Sequence, residues 1–260
     1  PFLGRADVRR ILKNLVQDHA TACVVTGEQK SGKTTTSDYI QHLRKAGVGF
    51  DVFEFRLSRL TSTSAVSLAE AIATRLGLDP STATLDGCPL FESNEQATRW
   101  ASAFGNWLVG RLSTRDTPFW LVFDDCEDFV RDDTRALLDV LVGLAGRDIP
   151  ALRMVLLHMA LEDLPCSQDY QFGLEQETIE VPGTQAVTDF FEHEYLLRNA
   201  DTAPRLSDAD LARHIVASVQ AVQQATEAAV ARGTAWLAAL QAAVAAEAQA
   251  VRERPLVPFS

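Results

Sequence analysis

The chain has 260 residues, 47% of them apolar and 23% charged, a composition that can bury a core and sets disorder aside. Its formal net charge of -11 argues against a general binder of nucleic-acid backbone, which needs a basic face. Four cysteines, Cys23, Cys88, Cys126 and Cys166, show no C-x-x-C spacing, so they suggest neither a zinc site nor a disulfide framework and read as free thiols in a reducing, cytoplasmic compartment, with Cys23 in the core.

In chain order, Val8, Ile11, Leu12, Leu15 and Val16 recur at helical spacing and predict an amphipathic helix ahead of the first strand, "TACVVTG". A glycine-bounded loop then opens a helix carrying Tyr39, Ile40 and Leu43, which fades at Gly47. "FDVFEFRL" predicts a second strand of mixed burial, followed by a helix through Val66 to Leu76. "LDPSTATLDGCPLFE" reads as a long loop, and Ser93 with Gln96 as a capping box for a helix bearing Trp100, Phe104, Leu108 and Leu112. "PFWLVFDDCED" is an apolar run ending in acid, the pattern of a buried strand whose C-terminal end reaches a site. A helix from about Asp133 to Leu144, the buried strand "ALRMVLLHMA" and the short strand "ETIEV" complete an alternation that implies a parallel sheet covered on both faces.

After Pro182 only helices are predicted, over Thr184 to Leu197, Asp208 to Gln223 and Ala225 to Val251. The last would carry Val230, Leu237, Leu240, Val244 and Val251 as an apolar seam, to be buried within its own domain or against a partner. "AWLAALQAAVAAEAQAV" is interrupted by Gln241, Glu247 and Gln249 and falls short of the roughly 20 apolar residues of a membrane span. No secretory leader is legible, and a chain opening at Pro1 without methionine reads as a module of something longer.

The chemistry concentrates in "VVTGEQKSGKTTT". Gly27, Gly32, Lys33 and Thr34 fit G-x-x-x-x-G-K-[ST] in the strand-before, helix-after context that a phosphate-cradling loop requires. Backbone N–H groups over Glu28, Gln29, Lys30, Ser31, Gly32 and Lys33, with the end of the following helix, offer donors to phosphate oxygens. Lys33 would reach the β- and γ-phosphates, the Thr34 hydroxyl would ligate Mg²⁺, and Thr35 is placed for the α-phosphate. Lys30 lies outside the motif's fixed positions and also fits a solvated loop charge. Asp124 and Asp125 end the acidic strand: the first is expected to hold the hydration shell of Mg²⁺, the second to orient or deprotonate an attacking water. Glu127 and Asp128 are rival acids. Neither D-x-x-G after the acidic strand nor N/T-K-x-D is present, which favours ATP over GTP; no arginine-rich lid follows the acidic strand, and LSGGQ is absent.

"PFLGRADVRRIL", "GEQKSGKTT", "LVFDDCED" and "ALRMVLLHM", in this order and spacing, resemble the nucleotide-binding core of the STAND and AAA+-like signalling ATPases. The resemblance implies an α/β three-layer P-loop NTPase core over residues 1–200, with a parallel sheet in the order 5-1-4-3-2. An α-helical appendage would follow over residues 201–260, a truncated lid or helical domain. It implies ATP or ADP with Mg²⁺, an adenine lying against Phe2, Leu3, Gly4 and Arg5, and partners in other domains of a longer chain or in a second copy. Such proteins usually carry glutamate where this chain has the shorter Asp125, which implies slow hydrolysis. His158 stands where a polar phosphate sensor is expected and equally fits a core histidine; Arg131 and Arg135 fit either an arginine finger or a charged helix face. The expected function is a slowly hydrolysing nucleotide switch in a signalling or defence protein, against the alternatives of a non-hydrolysing scaffold and a small-molecule kinase.

Overall fold

The computed structural model describes residues 6–27, 31, 33–83, 91, 93–164, 173–200, 205–254 and 256. Helix α1 (Ala6–Val16) precedes strand β1 (Ala22–Gly27), and helix α2 (Lys33–Lys45) leads to β2 (Asp51–Arg56). Then come α3 (Ala65–Arg75), α4 (Asn94–Leu112), β3 (Phe119–Asp124), the single turn α5 (Cys126–Phe129) and α6 (Asp132–Leu144). Strands β4 (Leu152–Leu157) and β5 (Leu174–Ile179) close the sheet, followed by α7 (Thr184–Ala200), α8 (Asp208–Ala231) and α9 (Trp236–Glu253).

The five strands are parallel in the order β2-β3-β4-β1-β5, which is the expected 5-1-4-3-2 read from the other edge. Parallel pairing demands crossovers, and the helices that provide them bury both faces. β3 and β4 are buried throughout, as an apolar run between two neighbours must be, whereas the edge strand β5 carries Glu175, Gln176 and Glu177. Alternation along the strands sends Phe55, Phe119, Leu121, Phe123, Met154 and Leu156 into a core shared with α3, α4 and α6. The intervening Trp120, Val122, Val155 and Leu157 are buried on the face that α2 covers, where Phe50 stacks on Trp120 with centroids 4.4 Å apart. α1 is tied to the β5 edge through Asn14, whose side-chain amide donates to Glu175 at 2.7 Å. Ser93 caps α4 by accepting the Gln96 N–H, as the spacing predicts.

The chain divides into two compact units, one comprising Asp7–Gly27 with Lys33–Ile179, the other made mainly of the residues from Glu180 onward. The helical unit has its own core, built from Val187, Phe191 and Tyr195 of α7, Val219 and Val222 of α8, and Leu240, Val244 and Val251 of α9. α7, placed by sequence within residues 1–200, thus shares its apolar face with the later helices. The helix expected over Ala225 to Val251 is not one helix. α8 runs unbroken to Ala231 because nothing near Gln223 stops it, and it ends at Gly233, whose φ of 90° a side chain would resist. Gly233 N–H bonds the Val230 carbonyl at 2.9 Å and Thr234 N–H the Ala229 carbonyl at 3.1 Å, the paired bonds of a Schellman turn. The seam therefore splits: Val230 stays on α8 and is 39% exposed, Leu237 is half-buried, and Leu240, Val244 and Val251 enter the core. Among the described residues no helix is long and apolar enough to cross a membrane.

Candidate nucleotide site

Parallel strands deliver their carboxyl ends to one edge of the sheet, and ligands of such sheets bind there. Here that edge gathers Gly27 from β1, Asp124 from β3 with Asp125 just beyond it, and His158 just beyond β4. Gly27 ends β1 with φ 143°, a conformation side chains rarely adopt. Lys33 opens α2; its side chain is buried, and its ammonium donates to the Gly27 carbonyl. Thr34, in the same turn, adjoins the Asp124 carboxylate, and Thr35 is half-buried beside it.

Asp124 is 1% exposed. Its Oδ1 lies 3.0 Å from His158 Nδ1 and accepts the Asp125 N–H at 2.9 Å, while Oδ2 is buried with no hydrogen-bond partner among the described residues. Burial pushes this carboxyl up, but the His158 imidazole and the Asp125 amide outweigh it and hold the group below the usual carboxylate range. Asp125 sits in the left-handed region at φ 63° and ψ 35°, and its Oδ2 accepts a hydrogen bond from the Ser58 hydroxyl. Among the described residues three non-glycines have positive φ, and two of them, Asp125 and His158, meet at this site. Such strain persists where surrounding contacts over-determine the backbone, and it clusters at functional sites. Ligand atoms of Asp124, Asp125 and His158 lie within 4.8 Å of one another, so the group can hold a metal ion.

A cavity of about 280 Å³ adjoins these residues, lined by Thr26, Gly27, Glu127, Arg135, His158 and Asp163 among others. The two arginines left open by sequence part ways here. Arg131 turns to Asp133 at 3.3 Å, whereas Arg135 lines the cavity with its guanidinium 3.6 Å from Asp132 and 3.7 Å from Asp163. Leu3, Gly4, Arg5, Glu28, Gln29, Lys30 and Gly32 lie outside the described residues, as does Phe2. Ser31 is buried. Sequence reasoning missed Ser58 and Arg56. Arg56 is the register partner of Asp124 and binds Glu54 at 2.6 Å; its place beside Glu54 on one strand face was legible, its neighbour across the sheet was not. Cys23 and Cys126 are free and buried, and burial pushes both thiols up.

The family described as the AAA ATPase domain matches residues 1–156, well over half of the chain. The chain belongs to the AAA ATPase domain family. It is a nucleotide-binding ATPase module, and the match takes in the phosphate-loop motif and the acidic strand end together. No curated protein matches. Among solved structures, Cdc6p from Pyrobaculum aerophilum is similar at 14% identity and a TM-score of 0.44, over 88% of this chain and 62% of that one. A Walker-type ATPase of Pyrococcus abyssi is similar at 11% identity and a TM-score of 0.43, over 97% of this chain and 74% of that one. A chain of the Drosophila ORC structure bound to AT-rich DNA and Cdc6 is similar at 9% identity and a TM-score of 0.41, over 93% and 81%. This AAA ATPase domain thus spans less than two thirds of the Cdc6p chain, and likenesses this distant carry no argument about what it acts on.

Proposed function

We propose that the module binds ATP with Mg²⁺, hydrolyses it slowly, and serves as a nucleotide-dependent switch within a larger signalling or defence protein of the STAND type. The observation that carries this reading is the Asp124 carboxylate: buried, ionised, with Oδ2 unpartnered among the described residues, and with Thr34, next to Lys33 in the first turn of α2, beside the carboxylate. An orphaned carboxylate oxygen next to a threonine hydroxyl fits a hard divalent cation, which prefers oxygen donors. Thr34 and Asp124 would hold it, Asp124 through its hydration shell. Mg²⁺, when bound, neutralises charge on the phosphate oxygens.

Lys33, freed from the Gly27 carbonyl, donates to the β- and γ-phosphate oxygens. Asp125 orients the attacking water and takes its proton as the bond from water oxygen to the terminal phosphorus forms and the bond to the bridging oxygen breaks, releasing ADP and phosphate. Its shorter side chain supports a slow rate. Leu3, Gly4 and Arg5 take the adenine, and Glu28 to Gly32 and Thr35 the phosphates. Other domains of the longer chain, or a second copy, read the nucleotide state.

The roles of the two loop lysines give the test. Loss of a charge-assisted contact costs about 1.5–3 kcal/mol. Lys33→Ala should therefore weaken ATP binding roughly 10- to 150-fold by titration calorimetry, Lys30→Ala should stay within about twofold of the parent, and GTP should compete poorly. Equal losses in both variants would refute the assignment.

A further inference from the structure

β2 is an edge strand, with β3 on one side and no strand among the described residues on the other. The Asp51 N–H bonds the Pro118 carbonyl at 2.9 Å, so Asp51, Phe53 and Phe55 turn their backbone groups toward β3. Val52, Glu54 and Arg56 alternate with them and turn theirs outward. Such an edge is a template for pairing unless something covers it. Here a cavity of about 490 Å³ lies along it, lined by Gln41, Phe53, Glu54, Arg56, Arg59 and Arg75 among others.

The lining is basic although the chain carries a net charge of -11. Arg56 offsets Glu54 at 2.6 Å and lies 4.0 Å from Asp38. Arg59 and Arg75 are exposed and pair with no carboxylate among the described residues. Arg75 stands over the Phe55 ring at 4.6 Å and donates to the Glu54 carbonyl, an outward acceptor that an added strand would fill with its own N–H. A guanidinium binds a carboxylate more strongly than a neutral carbonyl, so an acidic strand can take the carbonyl and give Arg75 a better partner.

We propose that this edge receives an extended acidic segment of a partner protein, which adds a sixth strand beside β2. Backbone pairing at Val52 and Glu54 supplies affinity, and carboxylates on Arg59 and Arg75 supply selection. A simple anion would use the arginines and leave the row of backbone donors and acceptors unmatched. The acidic strand of a second copy, β5, is a poorer occupant, because its Glu175 is already held by Arg10 at 3.2 Å and by Asn14 at 2.7 Å.

The probe is a short fluorescein-labelled peptide of alternating glutamate and valine, titrated into the full chain and read by anisotropy. One companion peptide replaces glutamate by lysine; another replaces valine by proline, which keeps the charge and removes backbone donors. The parent should bind the glutamate–valine peptide, and both companions at least about tenfold more weakly. Arg59→Glu and Arg75→Glu should each weaken binding about tenfold, while Lys13→Glu, the same charge change on exposed α1, should bind as the parent does. Arg59 is exposed and unpaired, so its variant keeps the test open if Arg75→Glu does not fold. Failure of the parent to bind the glutamate–valine peptide, equal binding of the proline companion, or binding unchanged in both arginine variants would each overturn the proposal. Sedimentation showing self-association of the parent that Arg59→Glu abolishes would put a second copy on the edge and overturn it as well.

Discussion

Asp124 and Asp125 are adjacent in sequence and live in different surroundings. Asp124 is enclosed and ionised by its neighbours; because its folded pKa is depressed, the stability it contributes is complete above the ordinary carboxylate range and is lost as pH falls through the lower folded value. Asp125 is half-exposed and steered by a serine. The two should therefore fail differently when converted to asparagine, which keeps the shape and removes the charge. Asp125→Asn should bind ATP within about threefold of the parent and release phosphate about a hundredfold more slowly, the scale of a lost general base. Asp124→Asn should raise the Mg²⁺ requirement for ATP binding about tenfold. A filter-binding assay run across Mg²⁺ concentrations, with phosphate release measured in parallel, separates them; matching defects would contradict the division of labour. Lys33, Thr34 and Asp124 were legible because the chemistry fixes residue type and spacing along one stretch of chain. Ser58 was not, since an exposed serine after a strand carries no pattern, and its meeting with Asp125 depends on the β2–β3 register. His158 stood undecided for the same reason: only the adjacency of β3 and β4 brings it to Asp124.

At the level of elements, the α4–α6 contact depends on one missing side chain. A Cβ on Gly105 would stand 2.9 Å from Val140 Cγ1 and 3.0 Å from Leu144 Cδ1, too close without displacement of α6 side chains. Gly110, one and a half turns further along α4, faces open space. Alanine gains roughly 1 kcal/mol of helix propensity at either position, and overpacking costs about 1–3 kcal/mol at the first. Urea denaturation should show Gly105→Ala destabilised by about 1 kcal/mol and Gly110→Ala stabilised by about 0.5–1 kcal/mol; shifts of the same sign would mean that the helices do not approach here. The strands were readable from their apolar runs and from the acid that ends β3. The break between α8 and α9 was not, because Gly233 lies among alanines and small polar residues whose propensities point to an unbroken helix, and the Schellman turn that stops α8 leaves little trace beyond that glycine.

On the scale of the whole molecule, an AAA ATPase domain core and a helical unit with a separate core make up the chain. The parallel order of the sheet followed from alternating strands and helices together with the resemblance. That α7 shares the apolar core of α8 and α9 did not, since its half-buried pattern suits either unit and only packing decides. A switch requires that nucleotide bind two arrangements of the molecule with different affinity, for a ligand that binds both equally shifts nothing. The direct measurement is amide hydrogen exchange over α8 and α9, residues 208–253, with and without ATP·Mg²⁺. The switch account predicts that exchange in these helices changes on binding, alongside protection at the start of α2. Protection at α2 with identical exchange over α8 and α9 would contradict it and leave the helical unit a passive attachment to a nucleotide-binding core.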